Sequence, residues 1–124
     1  MSESAFFLRR MNDHVQYLGK IKATLADKGD FQGTDHHTCK LGQWLDTEGP
    51  AQADAISNEA RAIFDSLIEP HEEFHSASHL ALKRKADGDI EGMEQAMTKM
   101  FKLSVDLVDL LMDLDTMSQG RSGS

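Results

Sequence analysis

Two histidines four residues apart, in the segment His71-Glu-Glu-Phe-His75, carry the strongest chemical signal in this sequence. On a helix, side chains at i and i+4 stand one above the other with Cβ atoms about 5–6 Å apart. That spacing lets both imidazoles give a nitrogen to one metal ion at roughly 2.0–2.1 Å. Taken alone, the pair is equally compatible with a helix that carries histidines on its surface. His14 alters that balance, because it sits between Met11 and Leu18 on an apolar stripe of its own segment. His71 likewise falls on the apolar stripe of its segment. Two inward-facing imidazoles on two helices must each find a polar partner, and a shared metal provides one. Cys39 is the sole cysteine, and a lone cysteine is ordinarily a small buried hydrophobe. Beside three convergent histidines it becomes a thiolate ligand, and His14, Cys39, His71 and His75 make a tetrahedral set for Zn2+. The soft sulfur argues against magnesium or calcium. His36 and His37 read as solvated loop residues, and His79 lies a further turn away from the pair. Asp13 and Asp35 are both chemically suited to accept an imidazole N–H behind the site.

Positioning these groups requires helices. Residues 4–27 place Phe7, Met11, His14, Leu18, Ile21 and Leu25 on one face, with Ser4 as N-cap and Gly29 as the stop. Residues 28–38 have turn composition and no period, so they predict a loop. A short helix follows from Cys39 to about Asp46, capped by Thr38 or Asp35 and closed by Glu48-Gly49-Pro50. Residues 51–86 predict a long helical region with Phe64, Leu67, His71, Phe74, Ser78 and Ala81 inward, kinked or restarted at Pro70. Ala86-Asp87-Gly88-Asp89 is a stop-and-cap signal. The last helix spans residues 90–117 with a heptad of Ile90, Met93, Met97, Met100, Ser104, Leu107, Leu111 and Leu114. Phe101, Leu103, Val108 and Leu110 widen its stripe, which points to a second contact such as a dimer interface. Residues 1–117 thus form one all-α domain, an antiparallel four-helix bundle with a short extra helix carrying the cysteine. Residues 118–124 read as a disordered tail or linker.

Bulk properties agree with a small helical domain. Two prolines and few β-branched residues in 124 favour helix. A formal charge of −8, with no basic run longer than Lys83-Arg84-Lys85, makes nucleic acid and anionic membrane poor partners. The early apolar residues run straight into Arg9 and Arg10, so no secretory signal is read there, and no apolar run approaches the roughly 20 residues that span a bilayer. A single cysteine without a disulfide partner fits a reducing cytoplasm.

Three segments together resemble the chemoreceptor zinc-binding (CZB) domain family: Asp13-His14, His36-His37-Thr38-Cys39-Lys40-Leu41-Gly42-Gln43-Trp44, and Glu69-Pro70-His71-Glu72-Glu73-Phe74-His75. The family pattern is a histidine in the first helix, a C-x-L-G-x-W segment and a later H-x-x-x-H, in that order. The resemblance implies zinc on His14, Cys39, His71 and His75, in an antiparallel four-helix bundle that is often dimeric. It also implies a bacterial sensory role, for zinc or for oxidants, controlling an attached output such as a chemoreceptor or a diguanylate cyclase. No output domain is visible beside the zinc-binding module, so the chain reads as a stand-alone member or a piece of a longer protein.

Rival chemistries are separable. A hemerythrin-like di-iron site needs more histidines and bridging carboxylates, and the last helix offers no histidine. A zinc hydrolase of the zincin type would use Glu72 as general base and needs an open coordination position, which Cys39 would fill. A purely structural zinc would use the same four residues. No enzymatic activity is expected.

Overall fold

The computed structural model describes the backbone of residues 2–123 and the side chains of residues 7–119. Five helices follow one another: α1 (Ser2–Leu25), α2 (Lys40–Asp46), α3 (Gly49–Ile56), α4 (Asn58–Ala86) and α5 (Ile90–Gly123). Among the described residues there is no strand, and no helix is long and apolar enough to cross a membrane. The all-α bundle expected from composition and periodicity is what forms.

The apolar stripes read from spacing are largely the buried ones. On α4, Phe64, Leu67, His71, Phe74, Ser78 and Ala81 are all buried, and on α5 the run from Met100 through Ser104, Leu107, Leu111 and Leu114 is buried too. Ile90, the first member of that heptad, is 54% exposed, and Met93 and Met97 are only partly buried. A short turn joins α4 to α5, so these helices are antiparallel. Gly88 takes the left-handed conformation (φ +77°) that ends α4, and Asp89 Oδ1 accepts the Gly92 N–H at the start of α5. α1 runs antiparallel to α5, with His14 beside Ser104 and Lys22 over the Phe101 ring.

Several boundaries differ from the sequence expectation. The 51–86 region is two helices, since Ser57 is extended and its hydroxyl caps α4 by accepting the Ala60 N–H at 3.0 Å. The bundle therefore has three long helices, and its fourth member, α3, is about two turns long. Gly49-Pro50 opens α3 rather than closing α2, because a proline in the first turn forfeits no helical hydrogen bond. Pro70 does not restart the chain, and α4 continues through it. α1 ends at Leu25 with Asp27, not Gly29, in the left-handed region (φ 62°), and Lys28 N–H reaches back to the Ala23 carbonyl. α5 runs past Met117 to Gly123, since Leu114 and Ser118 extend its buried face. The expected Ser4 cap lies outside the described side chains.

α2 is anchored by Trp44, whose ring meets Phe7 of α1 at 5.8 Å and Phe64 of α4 at 5.4 Å, both edge-on. Its indole N–H donates to Gln52 Oε1 at 2.8 Å. Burying an aromatic ring this way contributes roughly 1.5–3 kcal/mol. The practical result is that α2, and the cysteine at its head, is held against both long helices.

Candidate metal centre

Cys39 is itself the N-cap of α2. Its backbone is extended (φ −68°, ψ 159°), and Sγ accepts the Gly42 N–H at 3.3 Å. The cap is thus neither Thr38 nor Asp35, the two alternatives the sequence offers; Asp35 closes the preceding turn, with Oδ1 accepting the N–H groups of His37 and Thr38. The sulfur thus stands over the N-terminus of α2 and faces α4. There it lies 3.3 Å from His71 Nε2 and 3.4 Å from His75 Nε2. These three donor atoms fall within 4.8 Å of one another.

The spacing fits zinc. With Zn–S about 2.3 Å and Zn–N about 2.0–2.1 Å, a tetrahedral site has S···N edges of about 3.5 Å. The observed 3.3 and 3.4 Å match that edge length. Both histidines are buried and Cys39 is half-buried, so these donors are organised by the fold and not by surface chance. The cluster contains no carboxylate, which a di-iron site would need.

His14 is buried in α1 and lines the same cavity of about 410 Å3 as Cys39, His71 and His75, but it stands outside the 4.8 Å cluster. Its Nε2 lies 2.8 Å from Ser104 Oγ, and its ring packs against Phe74 at 4.6 Å. His36 is half-buried beside the cluster, 6.1 and 6.4 Å ring to ring from His71 and His75. His37 is exposed and bonds Asp46 at 2.6 Å, a contact that raises its pKa. Glu72 is exposed and does not line the cavity, so it does not hold the position a zincin-type base requires.

The groups behind the ligands were not the ones the sequence suggested. Asp13 pairs with Arg10 at 3.4 Å and Asp35 serves its own turn, so neither supports an imidazole. The Thr34 carbonyl does that work. It accepts from His75 Nδ1 at 3.0 Å, His79 Nε2 at 2.8 Å and the Tyr17 hydroxyl at 3.2 Å. A carbonyl can only accept, so His75 carries its proton on Nδ1 and presents a bare Nε2 to the metal position. Tyr17 also accepts the Thr34 N–H at 2.8 Å and lies 4.6 Å from the His75 ring. The preceding residue must be glycine. Gly33 has φ +83°, and a Cβ there would come within 3.0 Å of the His79 ring and 3.1 Å of the Tyr17 oxygen. Nothing in the sequence marks a backbone carbonyl as a support, whereas Ser104 had a visible signal as the polar member of the α5 heptad.

The sequence model of the chemoreceptor zinc-binding domain matches residues 14–82, more than half of the chain. The chain belongs to the chemoreceptor zinc-binding domain family. The matched span begins at His14 and includes Cys39, His71 and His75, so the Cys/His/His cluster is the candidate site for this family's metal, Zn2+. α5 lies outside the span. No curated protein and no solved structure matches the chain.

Electrostatics prepare this zinc-binding domain for its ion. Burial, reinforced by the neighbouring imidazole of His75, holds His14 at about 4 and His71 at about 3. Burial likewise holds His75 at about 4, partly opposed by its bond to Thr34. All three are neutral near pH 7. Burial pushes the Cys39 thiol up, against the amide bonds from Gly42 and Leu41. Zinc binding at pH 7 is therefore expected to release about one proton, from the thiol alone. Calorimetry in buffers of different ionisation enthalpy checks this, and release of three or more protons would contradict it. In the metal-free protein, the unfolded chain takes up protons on these imidazoles below about pH 6.5 that the folded chain refuses until about pH 4. Apo stability is therefore lost as pH falls through that window.

Proposed function

We propose that this domain is a zinc-responsive regulatory module in which one ion, held by His14, Cys39, His71 and His75, controls a signalling output such as chemotaxis or cyclic-di-GMP synthesis. The carrying observation is that the Cys39, His71 and His75 donors come from two different elements and share the wall of an open cavity with His14 of a third. A zinc ion supplies a Lewis-acidic anchor that four such donors can share. Residues so shared bring α1, the 26–39 segment with α2, and α4 to one point. Their packing then depends on occupancy, which is what a switch between two helix arrangements needs. The open cavity favours a site that exchanges with solution over a sealed structural one.

A redox input at the same cysteine is consistent with this site. Two-electron oxidation of the Cys39 thiolate by hydrogen peroxide, with uptake of one proton, yields a sulfenic acid and one water, and removes the strongest donor. The reading also includes a bacterial cytoplasmic setting and a homodimer. The antiparallel register that sets His14 beside Ser104 brings Val15 within two residues of the level of Val105, and Leu8 within two of Met112. All four are half or more exposed, forming an apolar strip along the α1–α5 pair.

Zinc affinity measured by chelator competition tests the regulatory reading, together with the fold of the metal-free chain. The expected result is a folded apo protein and a dissociation constant within the range that cells modulate. An apo chain that is unfolded and binds zinc far more tightly assigns the metal a purely structural role. Light scattering should return twice the chain mass.

A further inference from the structure

α5 contributes none of the four residues assigned to zinc, yet it is the helix that leads out of the family-matched span. Its buried stripe of Ala96, Met100, Leu107, Leu111 and Leu114 is interrupted by Ser104, which is 7% exposed. The hydroxyl of Ser104 lies 2.8 Å from Nε2 of His14, a contact between residues 90 apart in the chain. It is buried on both sides, so neither group has water as a substitute partner.

We propose that Ser104 is the positioning residue that fixes the orientation of the His14 ring at the wall of the metal cavity, and that the His14–Ser104 hydrogen bond is the contact through which zinc occupancy reaches α5. This rests on His14 being a zinc ligand, as proposed above. With Nε2 held by Ser104, the nitrogen left for the ion is Nδ1. A metal-ligating imidazole gives its other N–H to an acceptor, which fixes tautomer and ring orientation. The serine oxygen is that acceptor, and it occupies on α5 the role that the Thr34 carbonyl occupies for His75. A serine hydroxyl can donate or accept, so without metal either His14 tautomer satisfies the pair. Ligation at Nδ1 forces the proton onto Nε2 and commits Ser104 to accepting. The hydrogen-bond direction at the centre of α5 is thus set by whether the site is filled.

The experiment compares the parent chain with Ser104→Ala and Ser104→Thr, using zinc alone in chelator competition, thermal melts of the apo forms, and amide exchange with and without zinc. Ser104→Ala is expected to bind zinc about tenfold more weakly. Its apo form should melt below the parent, because the buried His14 Nε2 loses its partner, and the zinc-dependent rise in protection across α5 near residue 104 should disappear. Ser104→Thr, which keeps the hydroxyl, should restore all of these. Parent-like affinity in Ser104→Ala, or an undiminished rise in α5 protection, would overturn the proposal. A Ser104→Thr chain that loses as much zinc affinity as Ser104→Ala would also overturn it, by making Ser104 a packing residue. His14→Ala and His71→Ala separate the layers. If only His71→Ala loses zinc, the coupling falls while the Cys/His/His site stands; if neither loses it, the zinc reading itself falls.

Discussion

Replacing Cys39 with alanine is expected to weaken zinc binding by roughly a hundred- to thousandfold. Structural zinc sites with four ligands bind with roughly 10–16 kcal/mol, so each donor carries on the order of 3–4 kcal/mol. Cys39 is the single thiolate in the set and the donor nearest to both imidazole nitrogens, at 3.3 and 3.4 Å. The substitution also removes the acceptor for the Gly42 N–H at the head of α2, a capping loss of about 1 kcal/mol. Cys39→Ser separates the two effects, because a hydroxyl caps a helix well and is a poor zinc ligand. It should therefore recover apo stability and leave zinc affinity low. Competition against a chromophoric chelator measures the first quantity and a thermal melt of the apo protein the second. Binding within tenfold of the parent for the alanine variant would remove sulfur from the site and revive an open-coordination zinc.

Gly42→Ala should be the most damaging substitution that touches no ligand. A Cβ at this position would lie 1.6 Å from the His36 carbonyl oxygen, 2.7 Å from its carbon and 3.2 Å from His37 Cα. These are backbone atoms, so no rotamer change relieves the overlap. Either α2 or the turn before it must move, and Cys39 sits between them. A stability loss of about 3 kcal/mol is expected, with zinc affinity falling alongside. Gly19→Ala is the matched control. It lies within α1 with nothing within 4 Å of the added carbon, and should stabilise by about 0.5–1 kcal/mol. Equal melting temperatures for Gly42→Ala and the parent would show that the α2 turn is not held as described.

Much of the fold was legible because helix burial is a local signal. Phe64, Leu67, His71, Phe74, Ser78 and Ala81 recur at threes and fours, and each is buried. The same spacing places His14 and His71 inward, and both are buried. Less legible were the helix ends. Asp27 and Cys39 take a left-handed and a capping role that Gly29 and Thr38 nearby are better suited to by type, whereas Ser57, a good N-cap by type, lies in a stretch that reads as continuous helix. Such choices are decided by small differences in where the packed helices leave the chain, not by intrinsic preference.

Residue chemistry and helical period were enough to choose a metal, a soft-plus-nitrogen ligand set and the faces that carry it. They hold because donor type and the 3.6-residue repeat are properties of the residues themselves. The tertiary structure alone decided what stands behind His75 and His14: the Thr34 carbonyl 41 residues from the first, and the Ser104 hydroxyl 90 residues from the second. Periodicity reports which face of a helix is buried and is silent on what that face meets. A backbone carbonyl, moreover, is present at every position, so only the packed chain can single one out.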